Sequence, residues 1–326
     1  MKVTFNTYPM AFDTPGGGEM QLMAYRKFLP EFGVHPVLFD LWNPQFDETD
    51  LVHFFSTIAG SYHFCAHVKK AGLPLIVTSS LWITPQTKHL YPHEEIAAQL
   101  SLADQIVTNS RLEAESLANT LQLEKTKFSV VYNGCEESFL VKEDPSLFRK
   151  KFNVDGPFIL NVGNIEPRKN QLRLLQAAKR ASDLPLVMIG YARDEAYLNE
   201  CLAGGAGKAI YLGPLQHNSR LLRSAMSACE LFALPSTLET PGLSALEAAA
   251  QGANIVITNQ GSAWEYFGDT VTYLDPSDVI AMAEAIRSAL DYTTKSDAAF
   301  HVVKNHFTWR NVVPALAKTY AEVVLR

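Results

Sequence analysis

The chain has 326 residues, 47% hydrophobic and 19% charged, which suffices for two ordinary cores and excludes a disordered chain. A formal net charge of −6 excludes the basic face that a nucleic-acid partner needs, though it leaves room for a local basic pocket around a phosphate. Four scattered cysteines, Cys65, Cys135, Cys201 and Cys229, lack Cys-x-x-Cys spacing and read as buried free thiols.

Short β-branched or aromatic runs alternate with helical patterns from the start. "MKVTFNTY" reads as a strand without the apolar core of a signal peptide. A Gly-rich turn follows it, then the amphipathic "EMQLMAYRKFLPEFG". The strands "HPVLFDL", "DLVHFF", "LPLIVTS", "ADQIVTNS" and "KFSVVYN" come next. The rhythm restarts with strand "GPFILNVGN", helix "QLRLLQAAKRAS" and strands "LPLVMIGYA" and "KAIYLGPL". Helix "NSRLLRSAMSA", strand "CELFALPS", the strand and turn "NIVITNQGSAWEYFGD" and helix "DVIAMAEAIRSALDY" complete it. Strands apolar on both faces and separated by helices imply parallel sheets covered on both sides. The expectation is two doubly wound α/β domains, 1–138 and 139–305, with a C-terminal helix at 306–326 packing back toward the first. No run of about eighteen apolar residues occurs, so no spanning helix is expected. The protein is expected to be cytoplasmic. Small basic clusters in "AYRKFL" and "HVKKAG" leave room for peripheral contact with the inner face of a membrane.

Three stretches carry chemistry. "DTPGGGEM" stands between the first strand and the first helix, where Gly16 and Gly17 let a ligand approach the backbone and the helix start favours an anion. It matches neither common nucleotide fingerprint. In "LNVGNIEPRKNQ", a strand ends at Gly163, and Arg168 and Lys169 stand together just before a helix. Two cations at the positive end of a helix dipole are in conflict, and an anion touching both would relieve it. In "LPSTLETPGLSALEAAAQG", Pro241 and Gly242 suit a turn and Ser244 is placed to cap the helix behind it. The N–H groups of Gly242, Leu243 and Ser244 would face a ligand there. Glu247, in the expected first helical turn, could accept two hydrogen bonds from a ribose diol, while Glu239 lies before the turn.

"ETPGLSALE" resembles the E-x7-E motif of retaining glycosyltransferases of glycosyltransferase family 4, which have the GT-B fold. "PGGGE", "VVYNGCEESF", "VGNIEPRKNQLRLLQAA", "YLGPL" and "FTWRNVVPALAKTYAEVV" resemble the family's other segments in its order, over nearly the whole chain. The resemblance implies two Rossmann-like domains facing each other across a cleft, and transfer of a sugar from a UDP- or GDP-sugar to a glycan, lipid-linked or small-molecule hydroxyl. It implies no metal and no cofactor beyond the nucleotide-sugar co-substrate, and a setting in surface polysaccharide or glycoconjugate synthesis. By it, Glu239, Arg168 and Lys169 are catalytic. Gly163, Leu215, Pro241, Gly242, Leu243, Ser244 and Glu247 bind the donor, with the base near the Leu215 backbone. Gly16 and Gly17 form the first domain's phosphate loop, and Ser80, Trp82 and Asn109 lie on the acceptor side. Two departures stand out: Asn164 occupies the place where many members carry arginine, and Ser79 or Ser80 that of a histidine. The competing readings are a non-catalytic sugar-nucleotide-binding protein and a sugar-nucleotide epimerase.

Overall fold

A computed structural model describes residues 1–58, 60–205, 207–291 and 297–326, and the chain divides into two units. The first joins Met1–Asn133 to Trp309–Arg326, and the second is Gly134–Thr308. Cys135 ties the two crossings of the second unit together, donating its N–H to the Phe307 carbonyl at 2.8 Å and bridging to Thr308.

In the first unit, β1 (Lys2–Thr7), β2 (His35–Leu38), β3 (Leu51–Phe55), β4 (Leu75–Thr78), β5 (Gln105–Thr108) and β6 (Phe128–Val130) form one parallel sheet. Their order is β2-β1-β3-β4-β5-β6. β3, β4 and β5 are buried at every residue, which is why they read as unbroken apolar runs. The amphipathic stretch after β1 is helical only over Gly17–Phe28 and tightens into a 3-10 turn over Leu29–Phe32. Pro30 is the reason, having no N–H to donate and a ring that clashes with a carbonyl one turn back.

The helix Trp309–Val324 belongs to this unit. The Tyr320 hydroxyl lies 2.6 Å from Nδ1 of the fully buried His53, whose Nε2 is 2.7 Å from Oγ1 of Thr78. Trp309 meets the edge of Tyr25, and Arg310 pairs with Glu31.

In the second unit, β7 (Ile159–Val162), β8 (Leu186–Ile189), β9 (Ala209–Tyr211), β10 (Leu231–Leu234), β11 (Ile255–Thr258) and β12 (Thr272–Leu274) are again all parallel. The order is β12-β11-β10-β7-β8-β9. Helices Gln171–Ala181 and Val279–Asp291 cover one face, setting Leu174, Leu175, Met282 and Ile286 against Ile159, Met188 and Val256. The expected last residue of the second helix, Tyr292, lies outside the described residues. Among the described residues no helix is long and apolar enough to cross a membrane. All four cysteines are buried as thiols.

Candidate active site

In the second unit's sheet, β7 and β10 are neighbours, and the connections that follow them leave in opposite directions. Ligands of such sheets bind in the crevice this opens at the carboxyl ends of the strands. The two charged stretches singled out in the sequence emerge here, one after β7 and one after β10.

Lys169 ends the 3-10 turn Pro167–Lys169, and its aliphatic stem passes over Gly163. Its Nζ lies 2.5 Å from Oε1 of Glu239, and both side chains are largely buried. Arg168 is more exposed and pairs with Glu166 at 3.1 Å. The conflict between two adjacent cations at a helix start, which the sequence left to an outside anion, is thus answered by two of the chain's own carboxylates.

The two loops are also fastened through the backbone. Thr237 donates its N–H to the Arg168 carbonyl at 2.9 Å, and the Asn170 amide donates to the carbonyls of Pro235 and Pro276. Burial pushes the Glu239 carboxyl up, but the Lys169 and Arg168 charges and the Lys169 hydrogen bond outweigh it. The group is held below its usual range.

Two glycines make this loop possible. Gly261 has φ +101° and pairs with Glu239 across a bridge, and a Cβ there would sit 2.1 Å from the Glu239 carbonyl oxygen. Gly242 has φ +88°, and its Cβ would meet Leu234 at 2.6 Å. Side chains are excluded at both positions by conformation and by space.

Gly242 also corrects the expected cap. The helix runs Leu243–Ala250 with Gly242 as its N-cap, and the Ser244 hydroxyl instead donates to the Val162 carbonyl at 2.9 Å. That bond pins the helix start to the end of β7. Glu247 therefore falls in the second turn, beyond the first-turn N–H groups. Its carboxylate is nearly buried and meets Nε2 of His217 at 2.7 Å. Pro241 and Gly242 are buried, while Leu243, Ser244 and Leu215 are half-buried. The sequence contained no signal for His217, a lone histidine in the loop after β9. Asn164 stands beside Arg193, which also reaches Glu166 at 3.6 Å. Among the described residues, no group of three or more His, Cys, Asp or Glu side chains is placed to hold a metal.

The first unit gathers its own residues at the carboxyl ends of β1, β4 and β5. Gly16 caps the helix Gly17–Phe28 and donates its N–H to Oε2 of Glu19 at 2.7 Å, so a carboxylate of the chain lies on that loop. Asn109 accepts from Gln21 at 2.7 Å and donates to Ser80 at 3.4 Å, joining two of the three expected acceptor-side residues. Trp82 is half-buried two residues further on. Beneath them the fully buried Glu113 accepts from the Ser79 hydroxyl at 2.6 Å and from the N–H groups of Asn109 and Leu81 at 2.8 and 3.1 Å. His63, His67 and His89 are exposed and His93 is half-buried.

Residues 143–301 match the family model described as Glycosyl transferases group 1, which covers most of the second unit. A D-inositol 3-phosphate glycosyltransferase of Mycolicibacterium smegmatis is 25% identical over 68% of this chain and 54% of its own length. An O-antigen chain mannosyltransferase B of Escherichia coli is 25% identical over 72% of this chain and 65% of its own. The chain spans about half the length of the first of these relatives. Among solved structures, Anabaena HepE in complex with UDP-glucose superimposes with a TM-score of 0.81 at 19% identity, over 99% of this chain and 100% of that one. Residues 143–301 are thus similar to group 1 glycosyl transferases, and the two α/β units are those of the GT-B fold.

Proposed function

We propose that this chain is a retaining glycosyltransferase of family 4. It moves a sugar from a UDP- or GDP-sugar to a hydroxyl acceptor in the synthesis of a surface polysaccharide or another glycoconjugate. The second unit takes the donor, and the first takes the acceptor, whether a glycan, a lipid-linked sugar or a small molecule. The observation that carries this reading is the buried Lys169–Glu239 pair at the switch point between β7 and β10, with Arg168 beside it. Donor use is supported by the likeness to proteins named for sugar transfer and by a structural neighbour that binds UDP-glucose.

In this reading Lys169 and Arg168 face the diphosphate. As the bond from sugar C1 to the phosphate oxygen breaks, negative charge grows on that oxygen, and fixed cations stabilise it more than they stabilise the bound donor. Glu239 holds the Lys169 ammonium in place and offers its remaining oxygen to the sugar hydroxyls. The acceptor oxygen bonds to C1 on the face that the phosphate leaves, and its proton passes to the departing phosphate oxygen. The products are a glycoside and a nucleoside diphosphate, with no covalent enzyme intermediate, resident cofactor or metal in any step. The setting proposed is the cytoplasm, at or near the inner face of the membrane.

An epimerase or a non-catalytic binding protein is disfavoured, because the relatives that this chain matches are named for sugar transfer. The test is calorimetric titration with a panel of UDP-, GDP- and ADP-sugars without added metal, followed by NMR of the product formed with sugar acceptors. Selective binding and a product of unchanged anomeric configuration are expected. An inverted product would end the retaining assignment. Turnover of the bound donor to an epimer without any acceptor would end the transferase assignment itself.

A further inference from the structure

Glu247 is not free to point where it will, and what holds it comes from another loop. That loop follows β9 and contains Leu215 and His217, and it is firmly anchored. Asn218, with φ +57°, donates to Oε2 of Glu136 at 2.7 Å and accepts from the Ser138 hydroxyl at 2.7 Å. Arg223 donates to both the carbonyl and the side-chain oxygen of Asn218, at 2.7 and 2.9 Å. Ser219 caps the following helix through the Leu222 N–H. The segment that Asn218 grips is also fixed from the other side. Gln251, one turn along the helix from Glu247, donates to the carbonyls of Phe139 and Val141. The His217 ring lies 6.0 Å from that of Phe139, centre to centre. The imidazole is therefore delivered to Glu247 by a braced loop.

A carboxylate can only accept, so Nε2 of His217 carries the hydrogen of the 2.7 Å contact with Oε1. One donor satisfies one lone pair of Oε1 and holds that oxygen toward the braced loop. The remaining lone pairs are left to two neighbouring hydroxyls.

We propose that His217 is a positioning residue for the nucleotide ribose, orienting Glu247 to accept from the vicinal diol and coupling the loop expected to hold the base to the helix expected to hold the sugar. This rests on the donor-binding reading above. It adds that recognition of ribose over deoxyribose depends on a side chain that does not touch the nucleotide diphosphate.

The test is titration of UDP against 2′-deoxy-UDP, with GDP and 2′-deoxy-GDP in parallel, on the wild type and on His217→Ala, His217→Gln and Glu247→Ala. The readout is the affinity ratio of ribo to deoxy nucleotide. For His217→Ala the ribonucleotide should weaken about tenfold and the deoxynucleotide hardly at all, so the ratio collapses. His217→Gln, which keeps a neutral N–H donor at similar reach, should restore the ratio to within about twofold of wild type. If Glu247→Ala erases the ratio while His217→Ala preserves it, or if His217→Ala weakens both nucleotides alike, the positioning role is overturned and the donor site stands. If Glu247→Ala preserves the ratio, or the wild type binds none of the four, the donor-binding reading fails and this inference with it.

Discussion

The two units use one architectural idea and finish it differently. Each is a six-stranded parallel sheet with a switch point, between β1 and β3 in the first and between β7 and β10 in the second. In the second, the carboxyl edge pairs carboxylates with side-chain N–H donors: Glu239 with Lys169, Glu166 with Arg168, Glu247 with His217. In the first, the fully buried Glu113 accepts from the Ser79 hydroxyl and from two backbone N–H groups. The loops after β1 and β2 expose apolar side chains, among them Met10 at 84% and Trp42 at 91%. A carboxylate that gathers backbone N–H groups, as Glu113 does, organises a loop, whereas the Lys169–Glu239 pair sets a cation at the mouth of a crevice beside the more exposed Arg168.

The largest contrast between the units is expected on removing Glu239 or its Lys169 partner from the second and Glu113 from the first. Glu239→Gln and Lys169→Ala should each lower turnover by about 10²–10³-fold while the fold survives, the scale seen for a donor aimed at developing charge. Steady-state kinetics on matched, folded samples would check it, and unchanged turnover in both would remove the mechanism. Glu113→Ala should act on stability instead. It strands the Ser79 hydroxyl and two N–H groups, at a cost of about 3 kcal/mol in denaturant unfolding of the first unit.

A smaller effect is expected where the comparison turns on backbone alone. Gly261→Ala forces a Cβ against the Glu239 carbonyl, so the loop must shift, at about 2 kcal/mol in stability. Turnover should fall with it because Glu239 moves. Full turnover with wild-type stability would show that the loop yields freely.

Acid should separate the units in the opposite order. Burial holds His53 neutral, its pKa well below the ordinary range, while the unfolded chain takes up the proton near the ordinary histidine value of 6.5. The stability this confers on the first unit is complete above that pH and declines as pH falls below it. Glu239, also depressed, contributes fully above the unfolded carboxylate value of about 4.3 and loses its contribution only as pH falls through that range. Hydrogen exchange read by peptide between about pH 5 and 6 should therefore show the first unit loosening first. His53→Gln should remove that early loss, and simultaneous loosening of both units would count against the assignment.

Much of the fold was legible because a parallel sheet buried on both faces leaves little choice. "LPLIVTS", "LPLVMIGYA" and "CELFALPS" can only be inner strands, and β4, β8 and β10 are buried at every residue. Helix boundaries were less legible. Ser244 looked like a cap because serine usually is one, but Gly242 takes the left-handed conformation a residue earlier and the hydroxyl finds the end of β7. The stretches after β7 and β10 were visible as chemistry from their residue types. That Lys169 reaches Glu239 was not visible, since 70 residues separate them and the contact depends on β7 and β10 lying side by side.

The α/β class, the alternation of strand and helix, and the loops that carry charge could be read from residue order, because periodicity and turn chemistry are local. Which charges meet could not. Strand order is a global property, and it is strand order that joins Lys169 to Glu239 and carries His217, unmarked by any motif, to Glu247.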